Sequence, residues 1–71
     1  MLGERDAVVI DVHTFDVHGV GYVDVTLAFR DRTMTTARLG RESVPDGLAA
    51  GDEVIVSTAV NMVVAIRHAT D

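Results

Sequence analysis

The sequence predicts an all-β fold, a small five-stranded antiparallel barrel with one short helical turn between strands 3 and 4, forming a single domain over residues 1–71. Apolar side chains alternate with polar ones at a period of two residues through much of the chain. Turn-forming residues divide this pattern into short segments, and only one proline interrupts it. These observations are typical of short antiparallel strands joined by tight turns. Closing the sheet into a barrel would remove the exposed edges that make a small open sheet prone to aggregation.

The first two strands are predicted over residues 7–14 and 20–30. One face of the first strand carries Val8, Ile10 and Val12. The second strand has the clearer pattern, because apolar residues, most of them of the β-branched and aromatic types that favour strands, fall at every other position. The face that we expect to be buried carries Val23, Val25, Leu27 and Phe29. Residues 16–21, between the strands, contain two glycines, which suit a turn or a β-bulge.

The third strand is predicted over residues 34–39, after a tight turn. Its inward face is expected to carry Thr35, Ala37 and Leu39. The following connection, residues 41–52, is the longest in the chain and contains Pro45, so we expect it to be a loop. Within this loop, residues 46–50 are predicted to form the helical turn.

The last two strands are predicted over residues 53–58 and 62–68, joined near Asn61, which tolerates turn conformations. Five short strands in a meander around one thin core fit either an OB or an SH3-like barrel. The alternative to a closed barrel is an open sheet that a second subunit completes.

The small size of the chain favours self-association. A chain of 71 residues buries only about 60% of the surface that its unfolded state exposes. It contains no cysteine, so no disulfide or cysteine-bound zinc stabilises the core. Since 48% of the residues are nevertheless hydrophobic, we expect a homo-oligomer that buries part of the remaining apolar surface.

Charge and hydropathy restrict the partners. The chain has 11 acidic and 6 basic residues, a formal net charge of −5, which opposes binding to the phosphates of nucleic acids. The N-terminus lacks the apolar segment of a signal peptide. The longest apolar run, Met62 to Ile66, is far shorter than the roughly 20 residues of a membrane helix. We therefore expect a cytoplasmic protein that does not enter a membrane.

No residues are arranged for catalysis, so the chain is not expected to be an enzyme. Ser43 and Ser57 are the only serines, and neither lies in a nucleophile elbow. The spacing of the carboxylates pairs no two of them in an apolar cleft, as general acid–base catalysis requires.

A short run of histidine and aspartate is a candidate metal site. Asp11, His13, Asp16 and His18 are all competent ligands for zinc, nickel or manganese. His13 and His18 would be the central ligands. The alternative is that these residues are solvated side chains on an outward face.

A nucleic-acid face is a further alternative. Residues 19–24 resemble the glycine-rich aromatic strand of cold-shock OB domains, whose exposed rings stack on bases. Only Tyr22 is aromatic here, and the chain has one tyrosine, two phenylalanines and no lysine, so we expect Tyr22 at the barrel rim and no stacking platform. The basic strip expected across the second hairpin consists of Arg30, Arg32 and Arg38.

Four stretches in the second half of the chain form a recurrent pattern: Glu-Ser-Val at 42–44, Gly-Leu at 47–48, Gly-Asp-Glu-Val at 51–54 and Asn-Met-Val-Val-Ala at 61–65. In this order and spacing they resemble the TOBE family. These small OB-like domains lie at the C-terminus of many ABC-transporter ATPases and also occur as free-standing Mop proteins that bind molybdate. The resemblance implies a non-catalytic binding or regulatory barrel, with a small oxyanion such as molybdate held between subunits of a homo-oligomer.

The chain departs from the family at two places. Residues 1–6 lack the Ser-Arg-Asn type of motif that opens the molybdate-binding members, and residues 58–61 lack the lysine of the family's anion pocket. Anion contacts are therefore expected from backbone N–H groups and from short polar side chains. The expected ligand-binding residues are Ser43, Ser57, Thr58 and Asn61.

Three functions thus remain for a chain without catalytic residues. The oxyanion-binding barrel is the favoured prediction, and a single-stranded nucleic-acid binding protein of the OB type is the first alternative. The second alternative is a protein–protein scaffold module without a ligand. The exposed apolar strip that such a scaffold requires would consist of Val9, Ile55 and Val63.

Overall fold

A computed structural model describes residues 2–69 and confirms an all-β chain with five antiparallel strands in one sheet. The elements are β1 (Leu2–Val17), β2 (Val20–Phe29), β3 (Met34–Gly40), a 3₁₀ turn (Arg41–Ser43), β4 (Glu53–Ala59) and β5 (Met62–His68). Every predicted strand is present, and β1 extends beyond its predicted bounds at both ends. Residues 2–69 contain no helix long and apolar enough to cross a membrane.

The helical turn lies at a different place from the predicted one. It spans Arg41–Ser43, directly after β3, whereas residues 46–50 form turns and irregular backbone. Gly47 has a φ of +73°, which lies outside the right-handed helical region. The Asp52 carboxylate accepts a hydrogen bond from the Ala49 N–H at 2.9 Å, which further fixes this stretch as a loop.

The strand order β3-β2-β1-β4-β5 differs from a simple meander. Hairpins join β1 to β2 and β2 to β3, and the connection 41–52 then carries the chain back across the sheet. As a result β4 pairs with the N-terminal half of β1 rather than with β3. The first four strands therefore form a Greek key, in which the fourth strand returns to lie beside the first.

The sheet is not closed, so the barrel prediction is confirmed only in its strands and not in its closure. Within the described residues β3 and β5 are the two edges, and each is hydrogen-bonded to one neighbour. Their Cα atoms nevertheless come within 8 Å of each other at some positions, because the sheet curls. The curl leaves a seam between the two edge strands.

The core lies on the concave side of the curled sheet. Its buried side chains are Ala7, Val9, Val23, Val25, Leu27, Phe29, Leu39, Val54, Val56 and Ile66. The register pairs Val23 with Leu39 and Val25 with Ala37, so the predicted inward faces of β2 and β3 are confirmed. No side chain of this core is polar or charged among residues 2–69.

The first strand contains a β-bulge that reverses its faces. The pairing of β1 with β2 shifts between Val9 and Asp11, which leaves Ile10 unpaired. Ala7 and Val9 are buried before the bulge, and Val12 packs against the core after it. The expectation that Val9 contributes to an exposed apolar strip is therefore wrong, since only 1% of this residue is exposed.

Candidate functional site

A groove of about 510 Å³ occupies the open seam, between the N-terminal parts of β3 and β5. Its polar lining consists of Arg5, Thr33, Thr35, Thr36, Arg38, Thr58 and Asn61. Among the described residues, no aspartate or glutamate lines this groove. In a chain with a net charge of −5, such a lining is a local concentration of cationic and hydroxyl donors.

Arg5 lies in the inward-facing row of β1, opposite the buried Val56 on β4. In a closed barrel this row would bury a charge, but the open seam leaves the Arg5 side chain 46% exposed. Its guanidinium lies over the Phe29 ring, 3.8 Å from the centroid. Its Nη2 donates to Asp31 Oδ2 at 3.3 Å. A cation–π contact and an ion pair thus hold the cation at the groove.

The β2–β3 turn fixes the carboxylate that positions Arg5. The Thr33 hydroxyl and the Thr33 N–H both donate to Asp31 Oδ1, the latter at 3.0 Å. These two hydrogen bonds, followed by the Arg5 cation, lower the pKa of Asp31 below its ordinary value. Backbone hydrogen bonds from Phe29 to Thr33 and from Arg32 to Phe29 close the turn. Asp31 is therefore a carboxylate held in one place at neutral pH.

The β4–β5 hairpin supplies the opposite wall. Thr58 Oγ1 donates a long hydrogen bond of 3.4 Å to the Gly3 carbonyl, and its O–H has to turn away from that carbonyl to donate to an anion. Asn61 follows Val60 in a two-residue turn, and the φ angles of these residues are +66° and +49°. Positive φ at both positions is typical of a type I′ turn, which matches the twist of the hairpin.

The four residues expected to bind an anion do not all come together. Thr58 and Asn61 both line the groove. Ser57 lies on the other face of β4, paired with Glu4 of β1, and Ser43 ends the 3₁₀ turn outside the groove lining. Sequence analysis missed Arg5, because nothing in the alternating pattern indicates that the core-facing row meets an open seam.

A row of three rings crosses the outer face of β1 and β2, and we call it the aromatic ladder: His13, Phe15 and Tyr22. His13 and Phe15 stack with ring centroids 5.9 Å apart, and Phe15 and Tyr22 stack at 5.8 Å. Phe15 and Tyr22 are half-buried, whereas His13 is exposed. The ladder forms because the hairpin register places Phe15 directly opposite Tyr22 and His13 opposite Asp24.

Arg38 adds a cation to the ladder. Its guanidinium lies over the Phe15 ring, 4.7 Å from the centroid. Its Nε and Nη2 donate to the two carboxylate oxygens of Asp24 at 2.9 and 3.2 Å. The hydrogen bonds from Arg38 are the main reason that the pKa of Asp24 lies below its ordinary value, and the same pair raises the pKa of Arg38.

The three residues expected to bind nucleic acid, like those expected to bind an anion, do not all lie together. Tyr22 and Arg38 both belong to the ladder region, but Arg30 pairs with Asp6 at 3.3 Å at the end of β2. Sequence analysis expected no stacking platform, and the ladder corrects this expectation. Phe15 and Tyr22 are seven residues apart along the chain, so only the hairpin register shows that their rings are neighbours.

The candidate metal ligands are separated. His13 stands on the outer face of β1 within the ladder, while His18 lies in the β1–β2 turn with a φ of +51°. Within residues 2–69, no three histidine or acidic side chains are grouped so that they could hold a metal ion.

The chain has no significant similarity to any protein-family model, curated protein or solved structure. The site must therefore be interpreted from its own geometry.

Proposed function

We propose that this chain is a non-catalytic binding module of the OB type, and that the groove in its open seam binds a small oxyanion such as molybdate or sulfate. One observation carries the proposal: two arginines, four threonines and an asparagine line the groove, and no carboxylate among residues 2–69 does. Oxyanions are bound in proteins by such combinations of guanidinium and hydroxyl donors.

The strand arrangement supports the OB assignment. OB folds are five-stranded, partly open Greek-key barrels, and this sheet has five strands, a Greek-key order and an opening between β3 and β5. The TOBE-like stretches in the second half of the chain favour the same assignment. Asn61 begins the last of those stretches and Thr58 lies three residues before it, which is consistent with an anion site there.

The net charge of the chain determines where the affinity of this site for an anion must come from. A net charge of −5 repels an anion at long range, so the affinity has to come from donors in direct contact. A guanidinium has five N–H donors, and the ion pairs with Asp31 and Asp24 use only some of those on Arg5 and Arg38. The remaining donors can turn to an anion while the carboxylates hold the side chains in place.

Self-association is part of this proposal. Several large apolar side chains remain exposed, among them Leu2, Val60 and Met62, which are 81%, 76% and 68% exposed. Leu2 and Met62 flank Ala59 in one row across three strands. A second copy covering this row would add apolar burial that the small core lacks. Native mass spectrometry reports the number of subunits directly.

The test of the proposed function is calorimetric titration of sulfate, molybdate and phosphate into the protein at low ionic strength. We expect saturable binding that weakens about tenfold in Thr58→Val and in Asn61→Gly, since each loses one ligand hydrogen bond. Glycine is chosen at 61 because it keeps the positive φ of the turn. Ser57→Ala, on the other face of β4, is the matched control and should bind as the wild type does. Binding no stronger than that of chloride, or equal losses in the control, contradicts the proposal.

The aromatic ladder favours a second candidate, a single-stranded nucleic-acid binding protein. Aromatic side chains on an OB sheet stack on bases, and a nearby arginine strengthens such contacts. The net charge of −5 and the position of Arg30 at the end of β2, away from the ladder, place this candidate second. It predicts that a labelled oligonucleotide binds with a steep salt dependence and that Arg38→Ala weakens this binding.

A further inference from the structure

The end of the β1–β2 hairpin carries an apolar patch on the outer face of the sheet. The register pairs Phe15 with Tyr22 and, nearer the turn, Val17 with Val20. Residues two apart along a strand point to the same face, so these four side chains lie together, and we call them the hairpin patch. Val17 and Val20 are 43% and 53% exposed, and the two rings are half-buried. Exposed apolar side chains that adjoin one another indicate a contact surface.

A carboxylate borders this patch on the side of β3. Gly40 lies directly opposite Tyr22 in the register of β2 and β3, and it faces outward as Arg38 does. The Glu42 side chain folds back over Gly40, and its carboxylate occupies the space that a side chain at position 40 would fill. Directly opposite Cβ positions are about 5 Å apart, so this carboxylate lies beside Tyr22. None of the ion pairs among residues 2–69 involves Glu42.

The neighbouring charges determine what kind of partner the patch accepts. Arg38 donates two hydrogen bonds to Asp24, and its guanidinium covers the Phe15 ring, 4.7 Å from the centroid. This pair compensates its own charges and leaves Tyr22 as the ring that a partner can contact. The uncompensated charge next to that ring is the Glu42 carboxylate, and the net charge of −5 acts in the same direction. The partner must therefore bring a cation to this end of the patch.

We propose that the hairpin patch docks an extended segment of a partner protein that has an arginine and a large apolar residue two positions apart. The arginine packs on the Tyr22 ring and pairs with Glu42. The apolar residue covers Val17 and Val20. In an extended chain, side chains two positions apart point to the same side about 7 Å apart, which is also the separation of the two residue pairs of the patch. A guanidinium suits this place because it both stacks on aromatic rings and pairs with carboxylates. The docking is independent of the oxyanion site, since neither Tyr22 nor Glu42 lines the groove.

The test is a titration of the capped peptide Ser-Leu-Ser-Arg-Ser-Leu-Ser into ¹⁵N-labelled protein, followed by amide chemical shifts. We expect saturable shifts at residues 15–24 and 40–42. Binding should weaken about tenfold for the same peptide with citrulline, a neutral isostere, in place of arginine, because the charged hydrogen bond is lost. Glu42→Gln removes the carboxylate without changing the size of the side chain and should weaken binding equally. Glu53→Gln, an exposed change outside the patch, is the control and should bind as the wild type does.

Several outcomes would overturn this proposal. Equal binding of the citrulline peptide, or full affinity in Glu42→Gln, would show that no cation is recognised beside Tyr22. Shifts confined to residues 33–38 and 58–62 would place the peptide in the groove. Tighter binding of a short single-stranded oligonucleotide to residues 15–24 would assign this face to nucleic acid. Shifts of the same residues on dilution without peptide would show that a second copy covers the patch.

Discussion

At the scale of single residues, Arg5 and Val60 are two unusual positions in or next to the groove. Arg5 replaces an apolar side chain in a core-facing row, and it is tolerated because the seam gives its guanidinium access to water and to Asp31. Val60 is a β-branched residue at a φ of +49°, a conformation that such side chains rarely adopt. The equivalent turn between β1 and β2 uses Gly19, which adopts positive φ without strain.

The strain at Val60 leads to a stability prediction. Val60→Asn should raise the free energy of unfolding by about 1 kcal/mol, because asparagine tolerates the left-handed conformation. Little burial is lost, since Val60 is 76% exposed. Urea unfolding monitored by circular dichroism measures the change. A variant less stable than the wild type would show that the Val60 side chain makes a stabilising contact, as it would in an oligomer interface.

At the scale of elements, β1 organises the sheet. Its N-terminal half pairs with β4 and its C-terminal half with β2, and the bulge at Ile10 lies just past the point where the pairing changes. The strands themselves could be predicted from the alternation of apolar residues, above all in β2. The reversal of faces in β1 could not, because a bulge adds one residue without altering the local composition.

The long loop is tied to the sheet by a carboxylate. Asp52 accepts hydrogen bonds from the Ala49 N–H at 2.9 Å and pairs with His68 Nε2 at 3.2 Å. The Ala49 N–H, and after it His68, lower the pKa of Asp52 below its ordinary value. The folded state therefore binds this proton less readily than the unfolded state does.

This shift predicts a pH dependence with a definite sign. The stabilisation from Asp52 is complete above the unfolded pKa of about 3.9 and is lost as the pH falls through the lower folded pKa. Asp52→Asn should therefore lower the stability at pH 7 and flatten the loss of stability below about pH 4. Thermal unfolding between acidic and neutral pH measures both effects. Glu53→Gln, an exposed neighbour, is the control. An equally reduced loss of stability at acidic pH in that variant would contradict the assignment of the effect to Asp52.

At the scale of the whole molecule, a thin core supports a sheet with an opening. The strands and the buried face of β2 were predictable because they depend on local alternation. The open seam, the position of Arg5 beside it and the aromatic ladder were not, because they depend on pairings between distant segments. Phe15 and Tyr22 meet only through the hairpin register, and Arg5 meets Asp31 across 26 residues.

The thinness of the core makes it sensitive to truncation. Leu27 is fully buried, and Leu27→Ala should cost about 2–5 kcal/mol. That loss is comparable to the whole stability of a small domain, so the variant should be largely unfolded at 25 °C. Circular dichroism and thermal unfolding report this. Met34→Ala, which is exposed on β3, should unfold near the wild-type temperature, and similar behaviour of the two variants would contradict the assigned core.

The most direct test of the oxyanion groove is a titration of sulfate followed by amide chemical shifts in ¹⁵N-labelled protein, with sodium chloride at matched ionic strength as the reference. We predict saturable shifts concentrated at residues 33–38 and 58–62, which form the two walls of the groove. Shifts spread evenly over the sheet, or no larger than those caused by chloride, would contradict anion binding at the seam.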